Sequence, residues 1–483
     1  MSPGITIVGL GPGDPALLTR AAWQVLDSAD EVWLRTGRHP VVEALPRQLR
    51  LHTFDALYDA AESYSAVYDA IVEQILSLGD RPQGVIYAVP GDPMVGEATV
   101  EALRARTSLP LTILHGVSFV EPCLALVGHD ALDGLFVADA LALAGRHHPP
   151  FPPDTPALVG QLHSTWVAAD VKLTLMNQYP DEHRVTLIHA GGTVQAWTET
   201  VPLYQIDRAT EIGPLTALFV PALEAASAFE TFQETVAHLR APDGCPWDRQ
   251  QTPQSLRQHL MEEAYEALQA LDREDMEALR EELGDLLLQV VLQAQIATEH
   301  GNFRMADVIA AIQDKIIRRH PHVFGDLKVE GVDQVLHNWE RLKASERDTD
   351  SEGKGLLDGV PLVLPALAQA AEIQGRVARV GFDWPAIEGV VAKVIEELEE
   401  VRQATGEEAR AAEVGDLLFA VVNYARWLKV DPEAALREAN ARFRQRFAQL
   451  EQAAQAQGRN LAELGAQELD HLWEWAKRGQ GGL

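Results

Sequence analysis

The chain has 483 residues, 47% of them hydrophobic, enough for about three domains with buried cores. Its 40 Lys+Arg against 71 Asp+Glu leave a net charge of −31. With no basic run to oppose it, that charge repels a polyanion and excludes long nucleic acid as a partner. Two cysteines, Cys123 and Cys245, exclude a disulfide scaffold and suit a reducing cytoplasm. No run of about 18 apolar residues offers a membrane span, and Met1-Ser2-Pro3-Gly4 leads straight into a strand-like run, not a signal peptide.

Up to residue 222, β-branched runs at 5–10, 84–88, 111–114, 157–159, 184–189 and 217–220 predict strands. Segments 17–28, 64–78 and 97–106 carry helical spacing. The alternation predicts an α/β domain over 1–222 with a largely parallel sheet. Gly9-Leu10-Gly11-Pro12-Gly13-Asp14 follows the first strand and precedes a helix, a position where glycines let backbone approach a ligand. Pro12 and Asp14 break the dinucleotide fingerprint. Pro90-Gly91-Asp92-Pro93 and His115-Gly116-Val117-Ser118 stand in the same relation to two later strands.

Beyond 222 the strand signals vanish. Helical periodicity predicts helices at 223–240, 254–271, 275–300, 305–318, 364–379, 386–404, 407–428, 432–456 and 461–477, an all-α half. The polar stretch SERDTDSEGKG at 345–355 divides it into units 223–345 and 357–483, with a linker at 346–356. The units repeat one another. The first has Cys-Pro-Trp247, then MEEAYEAL (261–268) and REELGDLLLQVV (280–291); the second has Phe-Asp-Trp384, then IEELEEV (395–401) and AEVGDLLFAVV (412–422).

The acids of these repeats are Glu263, Glu266, Glu282 and Asp285, then Glu397, Glu400, Glu413 and Asp416. Each pair is spaced i, i+3, so both side chains share one side of a helix. On a wheel of ~100° per residue the first copy's pairs border the apolar stripes Leu256, Leu260, Ala264, Ala267, Leu271 and Leu279, Leu283, Leu286, Val290 on the same flank. Antiparallel packing would converge four carboxylates per copy, and such a group calls for a divalent cation. Oxygen-only ligation suits Mg²⁺ or Mn²⁺.

With Gly244-Cys245-Pro246-Trp247-Asp248, the E-x-x-E and E-x-x-D pairs, RRHPHVFGD at 318–326, Val380-Gly381-Phe382-Asp383-Trp384 and NARFRQRF at 440–447, the chain over about 225–480 resembles the MazG family of all-α nucleoside triphosphate pyrophosphohydrolases. The resemblance implies metal-assisted attack of water at the α-phosphorus of an NTP or dNTP, releasing monophosphate and pyrophosphate. It implies Glu262 and Glu396 as residues that position or deprotonate the water. Lys315, Arg318, Arg319, Arg442 and Arg446 are the phosphate-neutralising candidates, with Asn440 in the same motif. Trp247 and Trp384 are candidates to stack on the base. Lys393, where the first copy has His259, adds a cation beside the second cluster and favours that copy as the working one. Families of this type imply a homodimer.

The three glycine loops resemble those of the tetrapyrrole (corrin/porphyrin) methylases over 3–222, with His115 where that family usually has proline. This implies S-adenosylmethionine at Gly9, Gly11, Gly13, Asp14, Gly91, Asp92, Gly116 and Ser118. The leading expectation is a cytoplasmic, Mg²⁺-dependent pyrophosphohydrolase fused to a methylase-like domain. The rival is an S-adenosylmethionine-dependent methyltransferase whose helices are an oligomerisation scaffold. A third reading is a helical binding protein with no activity.

Overall fold

β4 (Val85–Val89) shows how the first half is built: VIYAV is buried at every position, as a strand covered on both faces must be. In chain order the strands of this half are β1 (Ile5–Gly9), β2 (Glu31–Leu34), β3 (Arg50–Thr53), then β4, β5 (Leu111–Leu114), β6 (Phe136–Asp139), β7 (Ala157–Gly160), β8 (Arg184–His189), β9 (Trp197–Pro202) and β10 (Thr216–Val220). The computed structural model describes residues 3–60, 64–329, 331–332, 334–335, 338–339, 342 and 355–478. It divides into two compact units, Met1–Gln250 and Gln251–Leu483. The division falls beyond the change in sequence character at 222, because the helices Phe229–Arg240 and Pro246–Gln250 group with the first unit.

The first unit carries two sheets. One, β3-β2-β4-β1-β5, is parallel throughout, with Ile5 opposite both Val85 and Leu111. The other, β6-β7-β10-β8-β9, is parallel only between β6 and β7. Its remaining pairs are antiparallel, which strand–helix alternation alone does not reveal. Short polar side chains start the helices as their chemistry predicts: Thr19 accepts from Ala22 N and Ser164 from Val167 N.

The second unit is helical, and no strand occurs in it among the described residues. Helix Arg257–Asp272 pairs with Met276–Glu299, and Ile387–Gln403 with Glu407–Trp427. Asp275 caps the second helix of the first pair by accepting from Glu277 and Ala278 N–H. Gly406, at φ +97°, makes the corresponding turn of the second pair. Residues 346–354 of the expected linker lie outside the described residues.

The apolar stripes are only half covered. Leu256 and Ala267 are buried, whereas Leu260, Leu271, Leu283 and Val290 are exposed, Leu271 and Leu283 at 53% each. No helix among the described residues is long and apolar enough to cross a membrane. Cys123 and Cys245 are both free.

Candidate active sites

The repeated acids meet where the paired helices face each other. In the first copy, carboxylate oxygens of Glu263 and Glu266 (helix Arg257–Asp272) and Glu282 (helix Met276–Glu299) lie within 4.8 Å of one another. In the second, the same holds for Glu397 (helix Ile387–Gln403), Glu413 and Asp416 (helix Glu407–Trp427). Three of the four acids in each copy therefore converge; Asp285 and Glu400 stand outside the tight trio. Their fields still reach it. Glu263 is held above the ordinary carboxylate range by partial desolvation, then by Asp285, Glu266 and Glu262. Glu282 is raised by desolvation, then by Glu266, Asp285 and Glu263. Glu400 is raised by desolvation and by Glu397, against the pull of Lys393.

The two copies differ in burial and cation content. Glu397 is buried; one of its oxygens accepts from Lys393 Nζ at 2.7 Å, while Oε2 is buried with no partner. Lys393 also donates to Glu396 at 2.8 Å, and these two carboxylates hold its ammonium charged well above the usual lysine range. In the first copy Glu262 is contacted by His259 at 3.4 Å and accepts from Gln258 at 2.8 Å. Glu262 and Glu266 line an open groove of about 530 Å³ with Arg257, Met261 and Tyr265.

The remaining expected residues scatter more widely. Lys315, Arg318 and Arg319 lie on helix Met305–Arg319, with Arg319 stacked 5.7 Å from the Trp339 ring. Arg442 pairs with Glu438 on its own helix at 3.2 Å, and Arg446 follows one turn on. Asn440 opens on a separate groove with Arg273, Arg437 and Arg444. Trp247, on the first unit, is exposed. Trp384 packs on Gly389, where an added Cβ would lie 2.5 Å from its ring. The neighbouring Asp383, which the sequence offered only as part of its motif and without a role, is a structural tie: it accepts from Arg426 Nη2 at 2.7 Å, Trp427 Nε1 at 3.1 Å and Trp384 N at 2.9 Å.

In the first unit the three glycine loops pack on one another. Gly11 and Gly91 exchange backbone hydrogen bonds at 3.2 and 2.8 Å. A Cβ on Gly9 would lie 2.5 Å from Gly116 N, and one on Gly116 would lie 2.3 Å from Gly91 O. Asp92 ties the loops together, facing His115 Nδ1 at 2.9 Å and accepting from Gly116 N at 3.2 Å. Asp14 accepts from Ala16 N, Ser118 donates to Glu121, and Gly13 packs on Thr193.

Beside these loops lies a cavity of about 740 Å³. Gly91 and Asp92 reach its wall, together with Arg35, His39, Tyr58, Tyr68, Glu97 and Phe119, none of which the sequence singled out. Burial pushes the His39 imidazole down to about 4. The one local signal for this wall was the polar run Arg35-Thr36-Gly37-Arg38-His39 directly after β2.

Comparison with known proteins agrees with both halves. Residues 251–324 match the MazG nucleotide pyrophosphohydrolase domain, and residues 4–207 the tetrapyrrole (corrin/porphyrin) methylases. The uncharacterised protein YabN of Bacillus subtilis (strain 168) is 40% identical over 494 aligned positions, covering 99% of each chain. The nucleoside triphosphate pyrophosphohydrolase/pyrophosphatase MazG of Thermotoga maritima is 44% identical over 256 residues, 53% of this chain and 98% of its own. The nucleoside triphosphate pyrophosphohydrolase of Escherichia coli (strain K12) is 46% identical over 246 residues, 50% of this chain and 93% of its own. The chain belongs to the MazG family, in the form that carries a tetrapyrrole methylase domain ahead of the MazG half and that it shares end to end with YabN.

Proposed function

We propose that the helical unit hydrolyses nucleoside triphosphates, NTP or dNTP, to the monophosphate and pyrophosphate, with Mg²⁺ or Mn²⁺ held by the carboxylate clusters. The observation that carries this reading is Glu397, a buried carboxylate with one oxygen unpartnered among two further acids. A solvated acidic surface has no such residue, and a hard cation is the partner its chemistry fits. The names of the Thermotoga maritima and Escherichia coli relatives support the substrate class.

Glu397, Glu413 and Asp416 would hold the ion in the second copy with Glu400 at the rim, and Glu263, Glu266 and Glu282 in the first with Asp285 beyond them. A divalent ion bound there supplies charge neutralisation at phosphate oxygens and an acidified water. Glu396 and Glu262 orient the water for attack at the α-phosphorus. Lys393, kept charged by its two glutamates, serves as a fixed cation and not as a base. Arg442 and Arg446, with Lys315, Arg318 and Arg319 in the other copy, neutralise the departing pyrophosphate. Trp384 offers a face to the base. The burial of Glu397 and its Lys393 contact favour the second copy as the working site.

For the first unit the reading is an S-adenosylmethionine site on the loops of Gly9, Gly91 and Gly116. Gly91 supports it: at φ +64° on the cavity wall, it has nothing within 4 Å of an added Cβ, so backbone is open to a ligand there. The exposed Leu260, Leu271, Leu283 and Val290 support a homodimer in which a second copy covers the stripes. A cytoplasmic enzyme is consistent with two free thiols. The reading in which the helices only scaffold a methyltransferase is weaker, since a scaffold has no use for an unpartnered buried glutamate.

The test is product analysis by anion exchange after incubation with each common NTP and dNTP, with and without Mg²⁺. Monophosphate plus pyrophosphate, formed only with metal, is expected. Diphosphate plus orthophosphate would mean attack at the γ-phosphorus and defeat the mechanism.

A further inference from the structure

The cavity of the first unit has both arginines and carboxylates on its wall, and their pairing says what it can receive. Arg35 is engaged on every side. It contacts Glu97 Oε1, donates to Tyr58 Oη at 3.0 Å and Tyr68 Oη at 3.3 Å, and lies 5.4 Å over the Tyr68 ring. Arg38 pairs with Asp59 at 2.8 Å. A ligand rich in carboxylates would find each of these cations already facing a carboxylate, a buried one at Arg35 and an exposed one at Arg38.

The wall acids differ among themselves. Asp55 accepts from Thr36 Oγ1 at 2.6 Å and Gly37 N at 2.8 Å. Asp92 is satisfied by the glycine loops. Glu97 is not satisfied: its side chain is 3% exposed, one oxygen takes Arg35, and Oε2 is buried with no partner. Nor does Glu97 cap the helix Ala98–Arg106 that it precedes. His39 is a second such group. One ring nitrogen is engaged by the Gly11 backbone carbonyl, and Nδ1 is buried without a partner. A neutral imidazole that donates through one nitrogen accepts through the other.

We propose that this cavity binds an aromatic or heteroaromatic ligand presenting N–H donors, of the amide or nucleobase kind, with Glu97 Oε2 as the primary acceptor and His39 Nδ1 as the second. Tyr58, Tyr68 and Phe119 on the wall supply faces for the ring. The Arg35–Glu97 pair is neutral as a unit, so the ligand's recognition edge needs donors and no net charge. Burial raises the Glu97 carboxyl above the ordinary range, and the Arg35 guanidinium beside it opposes that rise. The assignment rests on the reading of this cavity as the ligand site of the methylase-like domain, and it sets the class of acceptor: a nitrogen-bearing ring and not a polycarboxylate.

The test uses the full chain and two probes with the same ring and opposite polar edges, benzamide and benzoate. Each is titrated calorimetrically at millimolar concentration, with and without saturating S-adenosylhomocysteine. Benzamide is expected to bind at least about 10-fold more tightly than benzoate. Glu97→Gln is expected to weaken benzamide on the order of 10-fold and to strengthen benzoate, because Arg35 loses its partner. Since that variant leaves a cation buried, Arg35→Leu/Glu97→Gln is run beside it; it should lose benzamide without gaining benzoate. Equal or tighter benzoate binding by the natural chain, or benzamide binding unchanged in both variants, overturns the proposal. Absence of S-adenosylhomocysteine binding counts against the cofactor reading alone, because the probe titrations without it still report on Glu97.

Discussion

Lys393 Nζ lies 2.7 Å from one oxygen of Glu397, and the other oxygen of Glu397 is buried with no partner. The lysine thus holds the carboxylate through one oxygen and leaves the other unsatisfied, in a group that brings an oxygen of Glu397 within 4.8 Å of oxygens of Glu413 and Asp416. Glu397→Gln should therefore reduce triphosphate hydrolysis on the order of 100-fold or more, since a metal ligand contributes several kcal/mol to the transition state. Its thermal unfolding without metal should change little or improve, because a buried charge is removed. Glu266→Gln should cost activity less than Glu397→Gln does. If Glu266→Gln proves the more damaging, the first copy is the working site.

Metal binding should also appear as stability. Glu263, Glu266 and Glu282 repel one another within 4.8 Å, as do Glu397, Glu413 and Asp416. An ion that binds only the folded clusters stabilises them by about 2.7 kcal/mol at 100 times its Kd. Millimolar Mg²⁺ should raise the unfolding midpoint by a few degrees, chelation should reverse it, and Glu263→Gln/Glu397→Gln should respond weakly. An equal Mg²⁺ shift in that double variant would place the ion elsewhere.

The extent to which sequence disclosed this molecule follows from the range of its signals. Long helices with a 3.6-residue repeat, such as Pro432–Ala456, were legible in the second half, whereas the shorter Val120–Val127 and Thr165–Leu175 of the first unit were not. β2, β3, β6 and β9 were not: EVWL and RLHT are four residues each, and WTETVP mixes polar and apolar positions without a buried face. The acids were legible because i, i+3 spacing is local. That Asp285 and Glu400 stand outside the trios was not, because a helix turn advances about 5.4 Å and close approach of two helices depends on their crossing. The exposed half of each apolar stripe reads in sequence as core, since periodicity does not say what covers a face. Arg35 and Glu97 are 62 residues apart, so no local pattern joins them.

Asp383 should prove structural. It ties the turn before helix Ile387–Gln403 to the end of helix Glu407–Trp427 through Arg426 and Trp427. The Arg426 guanidinium and the Trp427 N–H offset desolvation and hold its carboxyl below the ordinary range. Asp383→Ala should destabilise the second unit by about 2–3 kcal/mol, the worth of a hydrogen bond to a charged group plus an indole left unpaired. Urea unfolding followed by tryptophan fluorescence measures this; a change below about 0.5 kcal/mol, the level of an ordinary surface substitution, would reduce Asp383 to one.

The pH dependence of the first unit should carry the signature of His39. Its imidazole is buried and neutral, with its folded value lowered from 6.5 to about 4 by desolvation. Between those values the unfolded chain binds a proton that the folded chain refuses, so stability is fully present above about 6.5 and falls as pH drops toward 4. One group shifted this far accounts for about 3 kcal/mol over the window. Urea midpoints measured from pH 7.5 down to 4 should decline accordingly, and His39→Gln, which has no titrating ring, should flatten the decline by about that amount. A parallel decline in the variant would mean that His39 is solvated enough to protonate in the folded state, and its Nδ1 would then be a donor toward the cavity instead of an acceptor.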